Sequence, residues 1–229
     1  MNCSLNVNPS ALKNAIERDT SFTGILAAFS AAAVPPTGTF WGQLHAVDET
    51  RIIHREDGTG LAVLTSSDRF FKRKTDVYVN GLGQSSIPFN GTHSFLGLVP
   101  ALLHPAPKRI AIIGLGSGDT WYSAGGRRET ESVLCVEIIG GQLETLRTLV
   151  SRTGYAALGR LFSEPRFQFT VGDGRRVIMR SETPFDIIEA DALRPSSAYS
   201  GNLYSREYFE LLRAHLAKGG YAVTWAPTA

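Results

Sequence analysis

Cysteine is scarce in this chain. Its 229 residues hold two, Cys3 and Cys135, far apart in sequence, and Cys135 falls inside an apolar strand pattern. That argues against a disulfide framework and for a reducing, cytoplasmic compartment. Metal-ligand spacing is lacking too: His45, His54, His104 and His215 form no pattern that zinc uses, so no metal is expected. The apolar stretch at residues 22–34 (FTGILAAFSAAAV) is shorter than the roughly 20 residues that span a bilayer. Nor does it follow the basic start of a secretory signal, because Lys13 and Arg18 are mixed with Glu17 and Asp19. It reads as a short core-packing helix stopped by Pro35-Pro36, with an interfacial role left open by its alanines.

Charge of either sign is also low. Lys and Arg number 23 against 21 Asp and Glu, giving a net charge of +2 with 19% charged residues. Such a balance offers nothing to a nucleic acid, and none is expected as a partner. The runs Lys72-Arg73-Lys74, Arg127-Arg128 and Arg175-Arg176 read as solvated loop charges. The charged fraction lies below the roughly 25% typical of soluble domains, which points to surface covered in a homo-oligomer or against another domain. With 43% hydrophobic residues, the chain can fill one main core and a small accessory unit.

What is present changes in texture along the chain. Residues 1–41 read as a helical and extended segment. Residues 42–91 carry short β-rich runs (RIIHRED, TGLAVLTSS, TDVYVNGLGQSSIPF) separated by Asp-Gly, Ser-Ser-Asp and Asn-Gly turns, predicting a small antiparallel β region. From residue 92 an apolar helix with an internal proline, HSFLGLVPALLH, is followed by alternating strands and helices. The strands are RIAIIG, SVLCVEII, RFQFTVGD, FDIIEAD and GYAVTWA; the helices include GGQLETLRTLVSRTG and SREYFELLRAHLAKGG. Near-continuous apolar strands linked by helices predict an α/β domain with a doubly wound, mostly parallel sheet at residues 92–229. The core aromatics or crevice walls are expected among Trp121, Tyr122, Tyr204, Tyr208 and Phe209.

The first of these strands runs into GLGSGD, with glycines at 114, 116 and 118. Glycines between a strand and a helix let the chain bend sharply, let a ligand approach, and leave helix N-terminal N–H groups free. The dinucleotide fingerprint needs glycine at position 119, where this chain has Asp119, so an NAD-type reading is disfavoured. Three carboxylates close the next three strands. Glu137, about twenty residues after the turn, is placed to accept ribose hydroxyl hydrogens; Asp173, followed by Gly174, suits an adenine amino group or neighbouring backbone; Asp191 closes the fourth strand. Each acid alone is commonly a helix cap or turn residue. Together along one crevice they point to an adenosyl ligand.

These residues resemble the spermidine synthase (polyamine aminopropyltransferase) family, which has the S-adenosylmethionine-dependent methyltransferase type of fold. The similarity runs from about Arg51 to Ala226 and includes the small β region. VNGLGQSS resembles the family's strand and turn ending in glutamine, which implies Gln84 near the nucleoside. THSFLGLVPALLHPAPKRIAIIG resembles the family's Tyr-His-Glu helix leading to the glycine turn, with His93 matching the histidine. FDIIEADALRP followed by NLYSREYFELLRAHLAKGGYAV resembles the segment bearing the family's catalytic aspartate. The resemblance thus implies a donor site at Gln84, Gly114, Gly116, Ser117, Gly118, Glu137, Asp173, Gly174 and Asp191, with Asp191 as general base. His93, Arg194 and Tyr204 are implied on the acceptor side.

The departures cluster. Tyr-His-Glu reads Thr92-His93-Ser94, Asp-x-x-Asp-Pro ends with Arg194-Pro195, and Gly-Gly-Gly-Asp-Gly has Ser117 in place of aspartate. Polyamine ammonium groups need carboxylate partners once desolvated, so the nucleoside half of the site is kept and the diamine half is not. Arg194 facing the pocket argues for a carboxylate-bearing acceptor or donor. The pattern is similar to the spermidine synthase-like domains found behind bacterial membrane segments, which admits a membrane-associated partner domain. The leading reading is transfer of an aminopropyl group from decarboxylated S-adenosylmethionine to a small-molecule amine. Methyl transfer from S-adenosylmethionine and a noncatalytic adenosyl-binding domain stay open. The expected fold would continue past GYAVTWA with further strands, so the chain reads as one lacking its last strands.

Overall fold

The computed structural model describes residues 35–69, 72–191 and 201–225. Residues 22–34 and Arg194 lie outside these. The chain divides into two compact units, one up to Ile52 and one from Ile53 onward. In the first, α1 (Thr37–Leu44) leads to a 3-10 turn at Glu49–Arg51 capped by Asp48, whose side chain accepts the Thr50 N–H.

From Ile52 onward four strands form a sheet in sequence order: β1 (Ile52–Asp57), β2 (Gly60–Arg69), β3 (Lys72–Val79) and β4 (Leu82–Ile87). The β2–β3 and β3–β4 pairs are antiparallel, as the turn signals predict. Asn80 turns β3 into β4 with φ of 48°, and its Oδ1 accepts the Leu61 N–H. The three basic residues at 72–74 stand inside β3 rather than in a loop, and Lys74 pairs with Asp76 at 2.6 Å. Helix α2 (Thr92–Leu103) follows, carrying Pro100 in its last turn.

The remaining elements alternate. They are β5 (Arg109–Ile113), α3 (Asp119–Ala124), β6 (Ser132–Glu137), α4 (Gly141–Thr153), α5 (Ala156–Ser163), β7 (Phe167–Val171), α6 (Gly174–Met179), β8 (Phe185–Ala190), α7 (Gly201–Tyr204), α8 (Arg206–His215) and β9 (Leu216–Thr224). Their five strands form one sheet in the order β7-β6-β5-β8-β9, parallel at every pairing. Strand order therefore reverses between β5 and β8, and ligands of open α/β sheets bind at that reversal, beyond the strands' carboxyl ends.

Alternation along the strands builds a core on each face of this sheet. Ile110, Ile112 and Ile187 face one side with Trp121, Leu146, Leu149, Leu158 and Leu161. Ala111, Ile113 and Ile188 face the other with Ile178, Tyr208 and Leu212. The buried Trp121 donates its indole N–H to the Val133 carbonyl at 2.9 Å, which satisfies its polar atom inside the core. Of the aromatics expected inside, Phe209 is instead partly exposed.

Three further sequence expectations need correction. The last helix was expected through Gly220, yet it stops at His215; residues 216–220 already belong to β9, and Gly219 at φ +81° accommodates the irregular pairing there. Helices α5 and α6 occupy stretches assigned no element. Arg127 is no solvated charge: it donates to the carbonyls of Ala101, His104 and Pro105, closing the C-terminal end of α2, where a cation suits the free carbonyls. Arg175 and Arg176 lie in α6. Among the described residues no helix is long and apolar enough to cross a membrane.

Candidate active site

The glycine turn is built for close approach. Gly114, Gly116 and Gly118 all have positive φ (103°, 49° and 86°), which side chains disfavour. Gly114, Leu115, Gly116 and Ser117 line a cavity of about 460 Å³ at the carboxyl end of the sheet. Gly118 does not line it. A Cβ there would meet Leu161 at 3.0 Å and Leu158 at 3.3 Å, so its glycine serves packing beneath the turn. The buried Gln142 holds the turn from behind, donating to the Gly116 carbonyl at 2.6 Å.

Glu137, the last residue of β6, lines the same cavity and is 7% exposed. Its Oε2 accepts the Leu115 N–H and its Oε1 the Ile139 N–H, each at 2.8 Å. Burial pushes its carboxyl upward, and these backbone donors oppose that shift. Each oxygen keeps acceptor capacity, so the carboxylate is oriented and still able to bind hydroxyls.

Asp173 lines the cavity while acting as the N-cap of α6, its Oδ1 accepting the Arg175 N–H at 2.9 Å. The cap reading and the crevice reading thus describe one residue. Gly174 has a packing reason: a Cβ there would sit 2.6 Å from Cγ2 of Ile113.

Asp191 follows β8, its N–H bonded to the Ile113 carbonyl. Its Oδ2 accepts from His93 Nδ1 at 2.8 Å and from the Thr120 hydroxyl at 2.6 Å. His93 Nε2 lies 3.1 Å from the Gln84 carbonyl. A carbonyl and a carboxylate can only accept, so both imidazole nitrogens carry hydrogen and the ring is an imidazolium. The side-chain hydrogen bond to Asp191 raises the histidine's proton affinity against its partial burial, in agreement. Asp191 Oδ1 has no protein donor among the described residues. Gln84, His93 and Asp191 all line the cavity.

Sequence reasoning missed Thr120 and gave Asp119 no role beyond breaking the dinucleotide fingerprint. Asp119 is 2% exposed and gathers the Asn90 N–H, the Ser94 hydroxyl and the Ser123 hydroxyl at 2.8–3.0 Å. It lines the cavity but is a clasp joining α2 to α3; desolvation pushes its carboxyl up while these donors pull it down. Ser94, which stands where the family has glutamate, finds its acid here. Asn202 and Leu203 line the cavity from α7, whereas Tyr204 does not. Its hydroxyl donates to the Trp225 carbonyl at 2.8 Å, because the helix turns it toward β9. Cys135 is buried and free, and no metal-binding cluster occurs among the described residues.

A parallel sheet with this order, a glycine turn after its central strand and a carboxylate closing the next define the methyltransferase type of α/β fold. Solved structures agree. The crystal structure of a spermidine synthase in complex with the transition state analogue AdoDATO superposes with a TM-score of 0.61 at 20% identity, covering 73% of this chain and 55% of that one. Spermidine synthase from Thermotoga maritima gives 0.57 at 19% identity, covering 72% and 54%. The chain belongs to the spermine/spermidine synthase domain family, whose profile matches residues 90–228. It is 32% identical over 122 residues to a spermidine synthase of Dictyostelium discoideum, covering 53% of this chain and 41% of the relative. A polyamine aminopropyltransferase of Thermotoga neapolitana is 27% identical over 128 residues, covering 56% and 42%. The chain therefore spans less than half the length of these two relatives.

Proposed function

We propose that this crevice binds decarboxylated S-adenosylmethionine and transfers its aminopropyl group to an amine. Glu137 accepts the ribose hydroxyls, the Asp173-Gly174 corner borders the adenine, and the glycine turn passes the sulfonium. The observation that carries the reading is Asp191: it lines the cavity of the glycine turn, with Oδ2 clamped by His93 and Thr120 and no protein donor on Oδ1 among the described residues.

The acceptor arrives as an ammonium and must lose a proton before it can attack. Asp191 Oδ1 takes that proton. The amine lone pair then forms a bond to the carbon beside the sulfonium, the C–S bond breaks with its electrons going to sulfur, and methylthioadenosine leaves. Holding the amine in line with the C–S bond supplies most of the acceleration. A decarboxylated donor fits because a methionine carboxylate would face Asp191 and Asp119, with His93 already paired. Calorimetric titration with decarboxylated and with ordinary S-adenosylmethionine tests this. Tighter binding of the decarboxylated ligand is expected; preference for the carboxylated one moves the reading to methyl transfer.

A further inference from the structure

Two cations line the donor cavity among the described residues, His93 and Arg175. His93 is committed to Asp191, whereas the side chain of Arg175 makes no hydrogen bond or ion pair among the described residues. Arg175 stands in the first turn of α6, directly after the Asp173-Gly174 corner, and its backbone N–H donates to Asp173 Oδ1 at 2.9 Å. The Asp173 carboxylate and the Arg175 guanidinium thus come from neighbouring positions that both line the cavity, and they do not pair with each other. Burial and Tyr204 push the Tyr208 hydroxyl upward and the Arg175 charge opposes them, so the guanidinium lies within electrostatic reach of α8, which packs against α6.

We propose that Arg175 reads the base of the donor, its guanidinium donating to the adenine ring nitrogen beside the amino group that Asp173 accepts from. The inference rests on the donor assignment above, which borders the adenine with the Asp173-Gly174 corner. The N6 amino group of adenine is a donor flanked by acceptor ring nitrogens, N1 on one side and N7 on the other. A carboxylate can only accept and a guanidinium can only donate, so the two side chains offer that edge its complement. An anionic ligand group would meet Asp173 beside the guanidinium and be repelled. The base is the uncharged part of a cationic donor, so Arg175 can bond it while the sulfonium stays at the glycine turn.

The test is calorimetric titration of the full chain with methylthioadenosine and with its 1-deaza and 7-deaza analogues, each lacking one flanking nitrogen. The native chain is compared with Arg175→Met, which keeps an extended side chain without donors. For one of the two analogues, a loss of about tenfold in the native chain should vanish in Arg175→Met, and the variant should bind methylthioadenosine itself about tenfold more weakly. Native binding of both analogues as tight as that of methylthioadenosine overturns the inference. So does a loss that persists unchanged in the variant, or a variant with full affinity for methylthioadenosine. Failure of methylthioadenosine to bind a folded native sample counts against the donor assignment and takes this inference with it, whereas the deaza comparison judges Arg175 alone.

Discussion

His93 and Asp191 form an ion pair whose direction is set from both sides of the ring: Nδ1–H donates to Asp191 Oδ2 at 2.8 Å while the second nitrogen donates to the Gln84 carbonyl at 3.1 Å. The histidine thereby fixes which carboxylate oxygen is occupied.

This pair makes a pH prediction. A histidine with raised proton affinity stabilises the folded chain fully below the unfolded value of about 6.5, and that contribution fades as pH rises through the folded value. NMR of the His93 ring should show titration above 6.5, returning toward it in Asp191→Asn. A ring titrating at or below 6.5 in the native chain contradicts the imidazolium.

Turnover should separate the two partners. Asp191→Asn keeps an acceptor for His93 but cannot take the amine proton, so transfer should drop by about two to four orders of magnitude with nucleoside affinity retained. His93→Gln keeps one donor and should cost less, with the loss in kcat rather than KM. Equal turnover in Asp191→Asn dismisses its role as base.

Glu137→Gln replaces an acceptor by a donor opposite either the Leu115 or the Ile139 N–H. Methylthioadenosine affinity should fall by about ten- to hundredfold, with a stability loss of roughly 1–3 kcal/mol. Unchanged affinity would remove the ribose assignment.

Gly97 is where α2 meets α3. A Cβ there would collide with the Thr120 carbonyl and lie 2.7 Å from the Ala124 nitrogen, both backbone atoms. Gly97→Ala should cost about 1–3 kcal/mol in urea unfolding. It should also shift the His93 resonance, because α2 carries His93 and α3 carries Thr120.

Glu189 is a fully buried carboxyl on β8 with neither oxygen hydrogen-bonded. Burial, aided by Asp191, pushes its pKa up to about 9. The folded chain holds this proton while the unfolded chain releases it near the ordinary carboxylate value, so stability declines as pH climbs from about 4.5 to about 9. Glu189→Leu should abolish that slope and stabilise the chain at pH 7 by on the order of 3 kcal/mol. Urea melts at pH 5, 7 and 9 check this; a variant less stable at pH 9 refutes it.

The five core strands were legible because parallel strands covered on both faces are nearly unbroken apolar runs. Helices α5 and α6 were not: they are short, and α6 owes its start to the Asp173 cap rather than to a long apolar period. Glu137 and Asp191 were legible because acids at the ends of successive parallel strands fall along one crevice, and both line the cavity there. Tyr204, which the resemblance implies on the acceptor side, does not line the donor cavity: side-chain direction on a four-residue helix depends on neighbours, and its hydroxyl bonds the Trp225 carbonyl.

From the sequence alone come the sheet, the glycine turn and the acids at the strand ends, since these follow from local hydrophobic period and from backbone freedom at glycine. Only the tertiary structure decided that His93 protonates on both nitrogens, that Thr120 shares Asp191 with it across 71 residues, and that Arg175 lines the same cavity. Hydrogen-bond direction and charge pairing are properties of neighbours in space, and here the neighbours come from separate strands and helices.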